Sequence, residues 1–444
     1  MNNQLLNNLR KTIFWSLDTI KGSKIQREIK NIERVLSSPN FSTLKERTKE
    51  PLTILLEHAV NETEYYKPYQ GYGDLSDFPV MDKRIITSNF EKLLSKSKQR
   101  QKLYKTFTSG STGTPFMVVQ NKEKKIRNTA DTIFFASKAG FTIGDKLLYV
   151  RLWSNKLSKS KVSSNMQNIV PINIDKLNDR YIQELLDSLK QDKSSKGWLG
   201  YPSALEKICD YLDKNKSKPL DCNVKSIIGM SENLSDHVRS RMWYYFNSPM
   251  VSRYSNLENG IIAQQSIDSD HFTINWASYV LEILDFEKNE PVKDGELGRI
   301  VITDLYNHAL PMIRYDTGDI GSITSKTDGS IPVLKTVEGR KADILLNTSG
   351  NMISAYQFMG ITVDFPDIDQ IQYVQTGKTS YLIKLNTEKP FTGEEKLVLR
   401  CKEIMGAQAT IDIEYVDEIP LLSSKKRKIT KNLMPSDEIS QLVN

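Results

Sequence analysis

Runs typical of β-strands alternate with stretches typical of α-helices between Lys102 and about Phe246, and this alternation constrains the fold most strongly. The segments 116–120 and 146–153 have the composition of strands, whereas 123–139 and 182–189 have the composition of helices. Strands and helices in alternation predict an open α/β architecture. Ligands in such folds bind at the carboxyl ends of strands, so the loops after these strands are candidate sites.

The segments before and after this region have a different pattern. Residues 1–66 are predicted to be helical, with breaks at Ser37–Asn40 and near Glu50–Pro51. From Phe272 to Gly321, short alternating runs separated by Gly and Asp turns predict a β-rich subdomain.

The last hundred residues carry a compact pattern of strand, strand, helix and strand. This pattern predicts a small α+β domain, and we place the boundary near Asp343. The expected fold class is therefore α/β. A large domain, residues 1–343, contains α/β lobes and the β-rich subdomain, and a small α+β domain comprises residues 344–444.

The N-terminal segment has apolar residues at helical spacing, namely Leu5, Leu9, Ile13, Leu17 and Ile20. Basic residues flank this stripe on both sides. One interpretation is a helix that lies on a membrane surface, and the other is a first helix packed on its own domain through the stripe. The sequence contains no run of eighteen apolar residues, so we expect no membrane-spanning segment.

Charge and cysteine content exclude some classes of protein. The net charge of +7, from 61 basic and 54 acidic residues, is mild for 444 residues and does not argue for nucleic-acid binding. Cys209, Cys222 and Cys401 show no CxxC spacing, and the chain has only four histidines. We therefore expect neither a disulfide framework nor a structural zinc site, and a cytoplasmic location.

A loop rich in small hydroxyl residues, "FTSGSTGTPF" at 107–116, is the first candidate site. Its glycines let backbone N–H groups converge on an anion, and its hydroxyls add donors, so phosphate is the natural ligand. Neither the GxxxxGK[ST] pattern nor GxGxxG is present. A plain surface turn is the alternative for this loop taken alone.

Further blocks follow in order: "YSNLENG" (254–260), "RYDTGDIG" (314–321), "EGRKADIL" (338–345) and "SSKKRKITK" (423–431). Together with the hydroxyl loop they resemble the adenylate-forming ligases, the superfamily of acyl-CoA synthetases and adenylation domains. The chain is most similar to the phenylacetate-CoA ligase-like branch, which includes the CapK-like proteins of capsule and surface-polysaccharide biosynthesis. "DFPVMDKRII" (77–86) also resembles that branch.

This resemblance implies an AMP-forming carboxylate ligase that uses ATP and Mg²⁺. Such enzymes form an acyl-adenylate with release of pyrophosphate, and then transfer the acyl group. The acceptor is either a thiol such as CoA or an amine, and an amide ligase in polysaccharide biosynthesis is one form of the second option. The main alternative is a non-catalytic nucleotide-binding module of a polysaccharide assembly complex. A third option, a transferase of preformed acyl groups, needs neither the phosphate loop nor the ribose aspartate.

The resemblance also implies roles for residues near the nucleotide. Tyr254 is expected to lie against the adenine, Asp319 to accept hydrogen bonds from the ribose hydroxyls, and Glu258 to hold Mg²⁺ and act in catalysis. Phosphate binding is expected from the hydroxyl loop, where Phe116 replaces the lysine of many relatives. The remaining expected nucleotide contacts are Thr108, Ser109, Gly110, Ser111, Thr112, Gly113, Ser231, Glu232, Ser255 and Arg340.

Lys426 is the second expected catalytic residue, since it matches the lysine that neutralises the carboxylate and the α-phosphate in this superfamily. Lys425 stands where relatives have a glycine, so either lysine is a candidate to enter the site. The alternative is a solvated basic run at 425–428. The resemblance further implies that the small domain is a mobile lid that swings about a hinge at Asp343. Trp198, Tyr201 and Met230 are candidate walls of the acid pocket, or core residues.

Overall fold

The computed structural model describes most of the chain. The described residues are 3–98, 101–108, 116–153, 161–286, 288–325, 329–340, 345–353, 357–358, 361, 364–365, 367–387, 391–420 and 429–435.

Helices and strands are numbered in chain order within these residues. The α-helices are α1 Asn3–Ile20, α2 Lys24–Leu36, α3 Phe41–Glu62, α4 Lys83–Ser88, α5 Phe90–Leu93, α6 Lys122–Lys138, α7 Lys161–Met166, α8 Asp179–Gln191, α9 Pro202–Lys214, α10 Asp236–Phe246 and α11 Glu394–Met405. The strands are β1 Tyr104–Thr108, β2 Phe116–Gln120, β3 Lys146–Arg151, β4 Ile169–Asn173, β5 Lys196–Gly200, β6 Val224–Met230, β7 Met250–Asn256, β8 Gly260–Gln265, β9 Phe272–Ile274, β10 Tyr279–Leu284, β11 Gly298–Asp304, β12 Tyr315–Thr324, β13 Val333–Arg340, β14 Leu345–Leu346, β15 Met352–Ile353, β16 Gln370–Gln375, β17 Ser380–Asn386, β18 Thr410–Tyr415 and β19 Thr430–Asn432.

A mixed sheet forms the centre of the large region, in the order β10-β11-β12-β13-β9-β8-β7-β6-β5-β3-β4. Strands β4, β3, β5, β6 and β7 are parallel, and helices connect them. All five residues of β5 are buried, as expected for a parallel strand covered on both faces. Helix α9 follows at once with Pro202 as its first residue, a position that proline favours. The expected α/β architecture is confirmed.

The other half of the sheet is antiparallel and is built from β8 to β13. It includes the segment 272–321, so the expected β-rich region is confirmed. Strand β12 bulges against both of its neighbours, β11 and β13. Bulges redirect side chains at sheet edges and near sites, and the ribose block of the sequence lies on this strand.

The C-terminal residues form a separate four-stranded sheet in the order β18-β17-β16-β19. Its hydrophobic cluster, which includes Tyr373, Ile383 and Leu397, contains residues from 345 onward, whereas two other clusters occupy the earlier part of the chain. The expected α+β pattern is therefore observed. The boundary near Asp343 falls at 341–344, outside the described residues, so the division into two domains stays a prediction.

Two expectations about the N-terminal helices are wrong. The expected break near Pro51 does not occur, because α3 continues from Phe41 to Glu62. A proline inside a helix costs about 3 kcal/mol, but buried residues on both sides of Pro51, such as Leu44 and Leu55, hold the two halves in one helix.

The second correction concerns α1. It packs on its own domain, but not through its apolar stripe, which is exposed, with 81% exposure at Ile20. The buried residues of α1 are instead polar, Asn7 and Asp18. Among the described helices, none combines the length and apolarity needed to cross a membrane.

Candidate active site

Glu258 is the centre of the candidate site. It lies in the turn between β7 and β8, where the N–H of Asn259 donates to Oδ1 of Asn256 at 2.8 Å. The side chain of Glu258 is only 3% exposed. Its Oε1 accepts a hydrogen bond from the hydroxyl of Tyr315 at 2.8 Å and lies 3.1 Å from Nζ of Lys83. A nearly buried carboxylate thus has one neutral donor and one cation as partners.

The position of Lys83 follows from strand-like pairing of the segment before α4. Met81 bridges Tyr315 in parallel, with its N–H donating to the carbonyl of Arg314 at 3.0 Å. Asp82 then caps α4 by accepting hydrogen bonds from two backbone N–H groups. Lys83 is the first residue of α4, two residues after the bridge between Met81 and Tyr315, and its ammonium group contacts Glu258.

Tyr254 on β7 and Asp319 on β12 are in contact, although three strands separate β7 from β12 in the order of the sheet. The hydroxyl of Tyr254 donates to Oδ2 of Asp319 at 2.8 Å and lies 3.3 Å from Oγ1 of Thr317. Burial and the Asp319 carboxylate raise the pKa of Tyr254 well above its ordinary value. Arg340 lies opposite Asp319 in the pairing of β12 with β13, so the predicted ribose residues share one place on the sheet.

The hydroxyl loop connects β1 to β2, which pair as an antiparallel hairpin that ends at Thr108 and Phe116. The ring of Phe116 stacks on that of Tyr315 with 6.3 Å between centroids, and Nζ of Lys83 lies 5.6 Å from the Phe116 centroid. Nε2 of Gln120, at the far end of β2, donates to the Glu258 carbonyl at 2.8 Å. The base of the loop is therefore fixed beside Glu258.

Several predicted site residues lie outside the described residues. They are Ser109, Gly110, Ser111, Thr112, Gly113, Lys425 and Lys426. The side chains of Thr108 and Arg340 are likewise not described, although their backbones are. The roles expected of these residues stay predictions.

Ser231 and Glu232 follow β6, as the prediction of an adenine-side loop requires. Ser231 has a positive φ of 65°, which is uncommon for a residue with a side chain. Oε2 of Glu232 accepts a hydrogen bond from the N–H of Ser203 at 3.0 Å, at the start of α9. Glu232 thus has a helix-capping role, and the nucleotide role of both residues stays a prediction. The same holds for Ser255, which is half-buried on β7 beside Tyr254.

The residues around Glu258 fit a magnesium–nucleotide complex. Mg²⁺ is commonly held by one or two carboxylates together with phosphate oxygens and water, and Glu258 supplies one buried carboxylate. Nδ2 of Asn256 is buried and has no hydrogen-bond partner among the described residues. A buried donor in this turn suits an anionic ligand, because an unpaired donor otherwise destabilises the fold.

The carboxyl ends of the parallel strands present a row of polar side chains. Register aligns Val150, Gly200, Gly229 and Ser252 across β3, β5, β6 and β7. The residues that follow them in the chain are Arg151, Tyr201, Met230 and Arg253. Arg253 is 6% exposed, and its Nη2 has no partner among the described residues. Burial lowers the pKa of Arg253 to about 10. This edge is where ligands bind in open α/β sheets.

Trp198, one of the candidate pocket walls, is instead a core residue. Its side chain is fully buried and packs against Phe246 with 5.4 Å between ring centroids. No sequence pattern distinguishes a pocket wall from the core at Trp198, since both environments favour a large aromatic residue.

Lys83 and Tyr315 are the site residues that the sequence analysis missed. Both belong to blocks that carry the family resemblance, at 77–86 and 314–321. One signal was available for Lys83. Phe116 stands where many relatives have a lysine in the phosphate loop. The loss of that positive charge could have prompted a search for another cation near the loop, and Lys83 is such a cation.

Comparison with solved structures identifies the fold. The structure has the acyl-CoA ligase fold, as in a 2-hydroxyisobutyryl-CoA ligase solved in the postadenylation state with 2-HIB-AMP. That similarity has a TM-score of 0.71 at 15% sequence identity, and covers 92% of this chain and 93% of the other.

Sequence relatives identify the branch. The chain is 23% identical over 387 residues to protein CapK of Staphylococcus aureus, which covers 81% of this chain and 80% of CapK. It is 22% identical over 330 residues to phenylacetate-coenzyme A ligase of Pseudomonas putida, covering 70% and 74%. Residues 345–433 match the CapK C-terminal domain family. The resemblance to the CapK-containing, phenylacetate-CoA ligase-like branch of the adenylate-forming ligases is confirmed.

Proposed function

We propose that the protein is an AMP-forming carboxylate ligase. One oxygen of the acid attacks the α-phosphorus of ATP, the bond from that phosphorus to pyrophosphate breaks, and an acyl-adenylate forms. A thiol or an amine then takes the acyl group and AMP leaves. The observation that carries this proposal is a pair of hydrogen bonds in an acyl-CoA ligase fold, from Tyr254 to Asp319 and from Tyr315 to Glu258.

Lys83 and Glu258 have complementary roles in this proposal. Phosphoryl chemistry of this type depends on positioning and on charge stabilisation, not on a covalent protein group. Glu258 would hold Mg²⁺, which would supply charge neutralisation at the phosphates. Lys83, beside Phe116 at the base of the hydroxyl loop, supplies the positive charge that Phe116 cannot. Burial raises the pKa of Tyr315 well above its ordinary value, so its hydroxyl stays protonated and orients the Glu258 carboxylate.

The nucleoside is proposed to bind beside Tyr254 and Asp319. The Tyr254 side chain is half-buried on the last part of β7, which leaves ring surface for a flat base. Asp319 has two carboxylate oxygens, a number that matches the two ribose hydroxyls. Arg340, opposite Asp319 in the strand register, is proposed to reach the ribose or a phosphate.

The small domain, residues 344–444, is proposed to act as a lid that brings Lys426 to the reacting carboxylate. The separate hydrophobic cluster from 345 onward supports a unit that moves as one piece. Lys426→Ala should abolish acid-dependent exchange of pyrophosphate into ATP while ATP binding is kept. Lys425→Ala is the matched control, and a larger loss in that variant would reassign the role to Lys425.

We further propose that the acid carries a second polar or anionic group. Arg253 is buried with an unpaired Nη2, and Arg151 stands at the same level three strands away. Nε of Arg253 donates to Oε1 of Gln264 at 2.8 Å, so Nη2 is the donor left for a ligand. Such a donor suits a carboxylate or hydroxyl, as in a uronic or dicarboxylic acid. Arg253→Met should raise KM for such acids more than for simple aryl or fatty acids. An equal change for both classes contradicts this substrate class.

Similarity to CapK supports an amine acceptor in surface-polysaccharide biosynthesis, whereas similarity to phenylacetate-coenzyme A ligase supports CoA. The two are separated by adding CoA or an amine, such as an amino acid or amino sugar, to preformed acyl-adenylate and measuring AMP release. The second candidate function is a non-catalytic nucleotide-binding module. Three departures from the family pattern favour it: Phe116, Lys425, and Leu257, which stands before Glu258 where relatives usually have a hydroxyl residue. It predicts ATP binding without acid-dependent pyrophosphate exchange.

A further inference from the structure

The outward face of α1 carries a stripe of five apolar side chains that runs along the helix, with the exposed Ser16 inside the same arc. Leu5, Leu9, Ile13, Leu17 and Ile20 are 55%, 47%, 48%, 44% and 81% exposed. At about 100° per residue, these five side chains fall within an arc of roughly 120° on the helix. An amphipathic helix in a globular protein normally buries its apolar face. In α1 the polar face packs on the domain and the apolar face is exposed to solvent.

Polar contacts on the opposite face hold α1 in this orientation. Nδ2 of Asn7 donates to the carbonyl of Ser195 at 3.0 Å, and Nδ2 of Asn168 donates to Oδ1 of Asn7 at 2.9 Å. The N–H of Ser195 donates to Oε1 of Gln4 at 2.8 Å. A Cβ atom at Gly144 would lie 2.3 Å from the Asn7 carbonyl oxygen, so the helix approaches the domain closely at this glycine. These contacts fix the apolar face outward.

The surroundings of this face are positively charged. The first thirty residues contain the basic residues Arg10, Lys11, Lys21, Lys24, Arg27 and Lys30. Their two acidic residues have partners within the fold. Asp18 is buried and accepts from the N–H groups of Ile25 and Gln26, while Glu28 lies 2.7 Å from Nη1 of Arg127. Within α1, Arg10 lies at the edge of the apolar arc, whereas Lys11 lies on the opposite face, where its Cβ would be 3.1 Å from a Cβ at Gly144. Lys21 and Lys24 follow the end of the arc at Ile20. The exposed border of the face thus includes Arg10 and Lys21.

We propose that α1 docks the protein on an anionic lipid surface. An apolar helix face with basic residues at its border is the pattern of helices that lie in the membrane interface. The spacing of the face, four, four, four and three residues, lacks the alternation of three and four that keeps a coiled-coil seam aligned with a partner helix. A broad face suits a lipid surface better than one helix of a second copy. Docking is independent of the proposed ligase reaction.

The test is flotation of the full chain with vesicles. The protein should float with vesicles of phosphatidylcholine and phosphatidylglycerol at low salt, and much less with phosphatidylcholine alone or at high salt. The double variant Leu9→Gln and Ile13→Gln should bind at least about tenfold more weakly. Both positions are exposed, so the fold should be kept, and its melting temperature checks this. Leu399→Gln, at an exposed leucine of α11, is the matched control.

The charge contribution is tested with Lys21→Gln and Lys24→Gln, which should weaken binding to the anionic vesicles. Failure of the unmodified protein to float with anionic vesicles overturns the proposal, as does flotation that the Leu9 and Ile13 changes leave unaltered. Light scattering measures the molar mass in solution and so tests whether a second copy of the chain covers this face instead of lipid. A dimer that these same changes dissociate would assign the face to a second copy of the chain and would equally overturn lipid docking.

Discussion

Nζ of Lys83 lies 3.1 Å from Oε1 of Glu258, so the first residue of a short helix pairs with a nearly buried carboxylate in the turn between β7 and β8. Lys83 is 35% exposed and Glu258 is 3% exposed. Removing the lysine leaves the nearly buried carboxylate with a neutral hydrogen-bond donor, the Tyr315 hydroxyl, among the described residues.

We therefore expect Lys83→Met to destabilise the fold and Glu258→Gln to restore part of the loss. Contacting charges of this kind have coupling energies of about 0.5–3 kcal/mol. The coupling is measured as the free energy of unfolding in a double-mutant cycle. The exposed pair Lys193 and Asp221, 60% and 91% exposed, is the matched control, and its coupling should be about 0–1 kcal/mol. Equal coupling in both pairs contradicts a special environment at Glu258.

The second prediction concerns the activity of Lys83 variants. Loss of a charge that acts on developing negative charge lowers the rate by about 10²–10³-fold, so Lys83→Met should reduce acid-dependent pyrophosphate exchange by that factor. Lys83→Arg should retain more activity. Arg84→Met is the control, because Arg84 is 93% exposed and pairs with Asp82 away from Glu258. Unchanged exchange in Lys83→Met would remove Lys83 from the proposed phosphate site.

Tyr254 combines two roles that different substitutions separate. Tyr254→Phe removes the hydroxyl that donates to Asp319 and should lower the free energy of unfolding by about 1–3 kcal/mol. It keeps the ring, so ATP affinity should change little. Tyr254→Ala removes the ring as well and should weaken ATP binding about tenfold to a hundredfold. Calorimetric titration measures the affinities, and equal weakening in both variants would argue against packing on the adenine.

Stability should decrease on acidification through His308. Burial, followed by the charge of His58, lowers the pKa of His308 to about 4 from an ordinary value of 6.5. Between these values the unfolded chain binds the proton and the folded chain does not, so the free energy of unfolding falls as the pH drops from 6.5 towards 4. Urea unfolding as a function of pH measures this slope. His308→Gln should flatten it, whereas His271→Gln, at an exposed histidine, should not.

The sequence was informative where local pattern and structure agree. The predicted strand at 146–153 and the predicted helix at 182–189 correspond to β3 and α8, because their local composition agrees with their place in an α/β sheet. Glu258, Tyr254 and Asp319 were predicted through the family resemblance, and the structure brings them together.

The errors came from contacts between distant segments. Pro51 favoured a helix break, but tertiary packing on both sides of it kept α3 intact. One of the two interpretations of the stripe on α1 was packing through it. Asn7 instead donates to the Ser195 carbonyl and Gln4 accepts from the Ser195 N–H, and these hydrogen bonds fix the opposite face inward. Lys83 was missed because its partner Glu258 is remote in the chain, and no local pattern reports an ion pair of that kind.

Adenylate formation is tested most directly by the products made from ATP. The purified protein is incubated with Mg²⁺, ATP, hydroxylamine and a pool of aryl, fatty, amino and uronic acids. The account predicts AMP, pyrophosphate and a hydroxamate whose mass identifies the acid, all dependent on the acid. ADP and phosphate in place of AMP and pyrophosphate would mean an acyl-phosphate route and would contradict the account.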